Sequence, residues 1–175
     1  MHRRFSSLWS ALLMLSAVGA AAADRPLPAL DLVDQAGLAA NVQTIEQSNP
    51  WVLLVVDGDK TLTPQTLSRL ERQTGGWNGQ VVIVVVGSDA AFTKIVNTNA
   101  KLQGVVWYRD NSGDIVRQLN IPGTPSLLGI HNFSQIAWQV AGLPEQTARV
   151  ESLVSSWINA PVPPPSGNSY SGVGY

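Results

Sequence analysis

The chain contains no cysteine, and beyond its first 23 residues its one histidine is His131. Without thiols there can be no disulfide, no thiolate nucleophile and no thiolate metal site. A single imidazole argues against a histidine-built zinc or copper site and against a catalytic triad that needs histidine. The sequence therefore predicts neither a resident metal nor a cofactor.

Positive charge is also scarce. Without Arg3 and Arg4, the remaining chain carries 9 basic and 12 acidic residues, a formal charge of −3. No basic stripe is available to neutralise a phosphate backbone. We therefore expect no nucleic-acid partner.

The only long apolar run lies at the N-terminus. Arg3 and Arg4 precede the run SALLMLSAVGAAA, which ends in small residues before Asp24. A basic start, an apolar core and a small-residue end are typical of a secretory signal. We expect cleavage after Ala23, a periplasmic location and no membrane span in the mature protein.

The C-terminal segment has a different composition from the rest. Its sequence, NAPVPPPSGNSYSGVGY, is rich in proline, glycine and serine and shows no apolar periodicity. Such segments do not bury enough apolar surface to fold. The predicted organisation is a signal peptide over 1–23, one domain over 24–159 and a disordered tail over 160–175.

Strand and helix patterns alternate within the domain. DLVDQAGLAANV has turn signals around Gly37, typical of an edge hairpin. WVLLVV and QVVIVVVG read as strands buried on both faces. The segment TPQTLSRLERQT reads as a helix capped by Thr63, with Pro64 at its first position. Together with three later strands and three later helices, the pattern predicts an α/β fold: a mixed sheet with helices on both faces and an N-terminal edge hairpin.

The segment DGDKTLT follows the first buried strand and reads Asp-x-Asp-x-Thr. This motif resembles the start of the haloacid dehalogenase-like phosphatase site. The resemblance implies that Asp57 is the nucleophile and Asp59 the general acid and base, with a magnesium ion between carboxylate and phosphate. The remaining phosphatase roles would fall to Ser88 and to Lys94 or Lys101 for the phosphate, and to Asp110 with Asp114 for magnesium.

The surroundings of this motif argue against the phosphatase hypothesis. The motif normally opens its domain, whereas about thirty residues follow the predicted cleavage site before Asp57. The chain then ends in a hairpin and one helix, where more parallel strands would be expected. Two aspartates after a strand also have a simpler role, since they favour turns and helix starts.

A second resemblance covers nearly the whole mature chain. The ending IPGTPSLLGIHNFSQIAWQVAG, followed by an amphipathic helix, resembles the thioredoxin-like superfamily, in particular its exported TlpA-like and redoxin branch. The hairpin at the start and the segment WYRDNSGDIVRQLN occur in the same order as in that branch. The resemblance implies a cis peptide bond before Pro125 and a backbone edge at Thr124 that pairs with extended peptides.

The family's Cys-x-x-Cys pair should lie in the loop after WVLLVV. Counting back from Leu70 places it at Lys60 and Thr63, in the stretch KTLT. Disulfide exchange and peroxide reduction both need thiols, and the chain has none, so the sequence excludes both activities. We expect a redox-inactive protein that binds an extended segment of another envelope protein, as a chaperone-like or assembly factor, for example in a secretion or conjugation system. The predicted binding residues are Lys60, Thr61, Leu62, Thr63, Gly123, Thr124 and Pro125. No pattern selects an oligomeric state.

Overall fold

Two apolar runs form the centre of the sheet. Strand β4 (Trp51–Asp57) and strand β5 (Val81–Val86) pair in parallel, and Asp57 lies opposite Val86 at the end of both strands. Every residue from 51 to 56 and from 81 to 85 is buried. β-Branched side chains suit a pleated strand that is covered on both faces. The predicted buried strands are confirmed.

The computed structural model describes residues 25–45, 49–71, 77–131, 134–143 and 147–161. The predicted signal peptide, with its cleavage site after Ala23, and all but the first two residues of the predicted tail lie outside these ranges. The end predicted for the first helix at Gly75-Gly76 and the tight turn predicted at 131–133 between the last two strands fall wholly or partly outside these ranges as well.

The other elements follow the predicted alternation of strand and helix. They are β1 (Arg25–Pro26), β2 (Asp31–Asp34), β3 (Ala39–Asn41), a 3-10 turn (Val42–Thr44), α1 (Thr63–Ser68), α2 (Asp89–Thr98), β6 (Val105–Asp110), α3 (Asp114–Gln118), β7 (Ser126–His131), β8 (Gln135–Ala141) and α4 (Thr147–Ile158). The strand order across the sheet is β1-β8-β7-β4-β5-β6-β2-β3. β4, β5 and β6 are parallel, and the remaining pairs are antiparallel, so the sheet is mixed.

Helices cover both faces of this sheet. Alternate residues of β4 point to opposite faces, so Leu54 belongs to one apolar cluster and Leu53 to the other. The first cluster contains apolar residues of α1, α2 and α4, and the second contains Ile115 of α3. The hairpin β2–β3 lies at one edge, where β2 pairs with β6. The predicted architecture is confirmed.

Helix α1 differs from the prediction at its start. The cap position is Leu62, without a side-chain cap, and Thr63 is the first helical residue. The Thr63 hydroxyl instead donates to the Asp57 carbonyl at 2.6 Å. The prediction that Thr63 caps the helix is therefore wrong, because this hydroxyl ties the helix back to the end of β4. The prediction that Leu67 and Leu70 share a buried face is confirmed.

The short strand β1 was not predicted. Arg25 and Pro26 pair with Ile136 and Gln135 of β8 at the other edge of the sheet. The Arg25 guanidinium donates to the Leu119 carbonyl at 2.9 Å and to the Gln139 side chain. No helix within the described ranges is long and apolar enough to cross a bilayer.

Candidate functional site

The site begins where the chain leaves the central strand. Gly58 donates its N–H to the Val86 carbonyl at 2.8 Å. A Cβ at position 58 would lie 3.0 Å from both the Ala91 and the Val85 side chains. The loop therefore passes close against its neighbours, and only glycine fits without moving them. This tight passage carries the chain directly to Lys60.

Lys60 joins this loop to a distant part of the chain. Its ammonium group donates to the Thr124 carbonyl at 3.1 Å and to the Thr124 hydroxyl at 2.9 Å. The Thr124–Pro125 peptide bond is cis, as predicted. Strand β7 follows at Ser126, whose hydroxyl donates to the Gly123 carbonyl at 2.6 Å. The predicted position of the missing redox pair thus faces the cis-proline segment.

A pocket of about 180 Å³ lies between these two segments. Its walls are mostly apolar or hydroxyl-bearing, and Lys60 is its one charged lining residue. The exposed Leu62 stands at its rim. The full lining is Val56, Lys60, Leu62, Thr63, Thr66, Thr124 and Pro125. We call this the cis-proline pocket.

A second hollow of about 370 Å³ shares Lys60 and Thr124 with the first. It extends from Asp57 towards helix α3, where Arg117 contributes to its wall. The Arg117 guanidinium is already held by the Asp114 carboxylate at 2.5 Å and by the Ser112 carbonyl at 2.8 Å. The two hollows adjoin at Lys60 and Thr124, and we call them together the groove.

The structure brings most of the predicted binding residues together. Five of them, Lys60, Leu62, Thr63, Thr124 and Pro125, line the cis-proline pocket, and Gly123 lines the neighbouring hollow. Thr61 is exposed and lines neither of the two. Their role in binding stays a prediction.

The residues of the phosphatase hypothesis have other tasks. The Asp57 carboxylate accepts the Asp59 N–H at 3.0 Å, which shapes the turn after β4. The Ser88 hydroxyl accepts the Ala91 N–H at 3.2 Å and caps helix α2. Lys94 is exposed on that helix. These contacts give the Asp57 and Ser88 side chains structural roles that need no phosphate.

Asp110 does not serve as an open magnesium ligand. The residue is 1% exposed, and its carboxylate oxygens accept hydrogen bonds from the N–H groups of Ser112, Gly113 and Ile115 at 2.8–3.0 Å. The Ser112 hydroxyl, at 2.7 Å from both Asp110 and Asp114, completes the network. Within the described ranges, no three acidic or histidine side chains come together as a metal site. The geometry therefore does not support the phosphatase hypothesis.

Asp114 lies at the exposed start of α3. Hydrogen bonds from the Ser112 hydroxyl and the Arg117 guanidinium, with the charge of Arg117, hold the pKa of its carboxyl below the usual range. Partial desolvation acts in the opposite direction and does not reverse the shift. Asp114 thus belongs to a local ion pair.

Sequence reasoning missed Val56 and Thr66 in the cis-proline pocket. In the second hollow it missed Val86, Gly113, Val116, Arg117, Ile121 and Pro122. Thr66 could have been found from helical spacing, since it lies three and four positions after Thr63 and Leu62. Val56 is the last buried residue of β4, and its run carries no signal that distinguishes a pocket wall from core. Arg117 is distant in sequence, and only the fold places it at the groove.

Among known proteins, the chain is similar to solved structures and not to any family model or curated sequence. No family model matches the chain, and no curated protein matches it. A secreted disulfide oxidoreductase from Mycobacterium tuberculosis, homologous to E. coli DsbE, has a TM-score of 0.59 and 16% identity, over 73% of this chain and 95% of that one. A thioredoxin-like protein from Porphyromonas gingivalis has a TM-score of 0.58 and 16% identity, over 75% and 91%. A thiol-disulfide oxidoreductase from Bacteroides fragilis has a TM-score of 0.56 and 12% identity, over 74% and 99%.

These structures share their architecture with this chain over almost their whole length. At identities of 12–16%, this similarity shows a shared fold and does not show a shared activity. The mixed sheet, the helix after the central strand and the cis-proline before β7 are all present here. The protein therefore has the thioredoxin-like fold, and it lacks the Cys-x-x-Cys motif because it contains no cysteine at all.

Proposed function

We propose that this protein is a redox-inactive thioredoxin-like binding protein. It holds an extended segment of another cell-envelope protein in the groove between Lys60–Thr63 and Gly123–Pro125. Its role is chaperone-like or that of an assembly factor. The observation that carries this proposal is the cis-proline pocket, which is apolar, open to solvent and bordered by a backbone edge at Thr124.

The chemistry of the site favours binding over catalysis. Lys60 and Thr63 occupy the positions where the redox pair is expected, and neither can form a thiolate. Thr63 is 7% exposed and its hydroxyl donates to a backbone carbonyl, so the hydroxyl is held in a structural bond. What the site offers is an apolar cavity, a cation and main-chain groups. Those are the elements of peptide recognition by strand addition.

An exported location supports a partner from the cell envelope. The first 23 residues have the order of a secretory signal, and the similar Mycobacterium tuberculosis protein is a secreted one. The absence of cysteine also leaves the protein unaffected by an oxidising compartment. A secretion or conjugation system is the kind of assembly in which such a factor would act.

Thr124→Arg tests the proposal. The long charged side chain fills the space between Lys60 and Pro125 and repels the Lys60 ammonium group. We expect a specific partner that co-purifies with the wild type from the source organism's envelope to fall at least tenfold in abundance. The measurement is quantitative mass spectrometry of the captured proteins.

Thr93→Arg is the matched control. Thr93 is exposed on helix α2, so this variant adds the same side chain and charge outside the groove. It should keep the wild-type partner. An identical set of captured proteins for wild type, Thr93→Arg and a folded Thr124→Arg would contradict binding at the cis-proline pocket.

A further inference from the structure

Within the described part of the chain, the ammonium group of Lys60 bonds to neutral oxygens alone. Both of these hydrogen bonds go to Thr124, one to the carbonyl and one to the hydroxyl. Among the residues that the structure describes, no carboxylate lies within 4.0 Å of it, and the two ion pairs found there use Arg109 and Arg117. The positive charge of Lys60 is therefore not neutralised by a counter-ion within the described protein.

The nearest acidic residues along the chain face other groups. The Asp57 carboxylate is bonded to the Asp59 N–H. The Asp59 carboxylate lies beside Gly87 at the end of β5, where one of its oxygens would be 3.4 Å from a Cβ on that glycine. Neither aspartate lines the cis-proline pocket, and Asp57 lines only the neighbouring hollow. A ligand in that pocket thus meets the charge of one cation, Lys60.

The size of the pocket limits what can enter it. Binding sites for whole cofactors and drug-sized molecules have volumes of about 300–1,000 Å³. The cis-proline pocket, at about 180 Å³, is smaller and suits one large apolar side chain of a peptide. Lys60 stands in its wall, so a residue next to that side chain would come within reach of the ammonium group.

We infer that the segment bound at this site carries an aspartate or glutamate within two positions of an apolar residue. This inference rests on the proposed function. The apolar side chain fills the cis-proline pocket, and the acidic side chain pairs with Lys60. As Lys60 turns to the carboxylate, the Thr124 carbonyl becomes free to accept an N–H from the backbone of the ligand. Lys60 is then the residue that selects acidic segments.

The exchange of partners favours an acidic ligand over a neutral one. A hydrogen bond between an ammonium and a carboxylate is roughly twice as strong as one to a neutral oxygen. The Thr124 carbonyl does not lose an acceptor bond, because the ligand backbone replaces the ammonium donor. A neutral ligand that displaces Lys60 from Thr124 offers the ammonium group no carboxylate in return.

Selection from a random peptide library displayed on phage tests the inference without a known partner. Wild type is the bait, and binders are kept only if an excess of Thr124→Arg fails to compete for them. We expect the kept sequences to be enriched in an acidic residue within two positions of a leucine, isoleucine or phenylalanine. A parallel selection on Lys60→Gln should keep the apolar residue and lose the acidic enrichment, whereas Lys101→Gln should give the wild-type pattern.

Synthetic peptides quantify the effect. For an acetylated and amidated peptide from the selection, replacement of its aspartate by asparagine should weaken binding to wild type about fivefold, the upper range for a solvent-exposed ion pair. The same replacement should leave binding to Lys60→Gln unchanged, as measured by fluorescence polarisation at low salt. Groove binders without acidic enrichment, or equal affinities for both peptides, would overturn the inference and leave the proposed function standing. A selection that yields no groove binder would contradict the proposed function itself.

Discussion

Two loops follow parallel strands at the same edge of the sheet, and they use their polar side chains in opposite ways. At the end of β6, Asp110 is 1% exposed, and its carboxylate accepts four hydrogen bonds from three residues of the following loop and helix. The loop after β4 turns Lys60 outwards to the cis-proline segment, beside an open apolar pocket. In the first loop, neighbouring N–H groups already occupy the carboxylate oxygens. In the second loop, the ammonium group of Lys60 lies where a ligand can reach it. Asp110 therefore stabilises the fold, whereas Lys60 is placed to recognise a partner.

The largest effect is expected from the loop after β6. Asp110→Ala leaves the buried N–H of Ile115 and the part-buried N–H groups of Ser112 and Gly113 without their acceptor, and should lower the free energy of unfolding by about 3 kcal/mol. Lys60→Ala, in the other loop, should change it by less than about 0.5 kcal/mol because the side chain is exposed. Urea unfolding followed by tryptophan fluorescence measures both. Equal losses in the two variants would remove the distinction between the loops.

A medium effect is expected at Thr63, the first residue of α1, which is buried and whose hydroxyl makes a part-buried hydrogen bond to the end of β4. Thr63→Val keeps the shape and removes the 2.6 Å bond to the Asp57 carbonyl, with an expected loss of about 1 kcal/mol. Thr66→Val, which removes a 2.9 Å bond to the Leu62 carbonyl on the exposed side of α1, is the matched control and should cost less. The urea midpoints of the two variants test this order. A smaller loss for Thr63→Val than for Thr66→Val would contradict the anchoring role of the bond to Asp57.

The smallest effect is expected at Asp114 and depends on pH. Its pKa is lowered in the folded protein by Ser112 and Arg117, so its ionised form stabilises the fold at neutral pH. This contribution is lost as the pH falls through the lowered pKa. Asp114→Asn should therefore be slightly less stable than wild type at pH 7, and the difference should shrink at acidic pH. Thermal unfolding across this range checks the sign, and a difference that grows in acid would contradict it.

Much of the fold could be predicted from the sequence. The strands β4 and β5 are continuous apolar runs, and the helices α2 and α4 repeat their apolar residues at helical spacing, so local pattern and tertiary environment agree. Strand β1 could not be predicted, because two residues carry no periodicity and their pairing depends on β8. The start of α1 was misplaced by one position because the Thr63 hydroxyl has a non-local acceptor.

The site was predictable only in part. Lys60 and Thr124 are 64 residues apart, and a resemblance to a known fold, not a local pattern, placed them together. Asp110 was assigned to a hypothetical magnesium site, although the stretch DNSG has the aspartate and glycine spacing of a type I turn. That signal indicates a structural carboxylate. A motif such as Asp-x-Asp-x-Thr says which atoms are available, whereas their hydrogen-bond partners decide what the atoms can do.

Binding of a partner in the groove at the cis-proline segment can be tested directly, because an introduced cysteine is the only thiol in this cysteine-free chain. Leu62, at the rim of the pocket, and Leu38, at the tip of the β2–β3 hairpin, are equally exposed at 67% and 65%. Leu62→Cys and Leu38→Cys each provide one thiol for a benzophenone maleimide label, and the labelled proteins are illuminated in envelope extract. We predict a discrete adduct from position 62 that excess unlabelled wild type suppresses, and no such adduct from position 38. The same adducts from both positions, or none from position 62, would contradict the account.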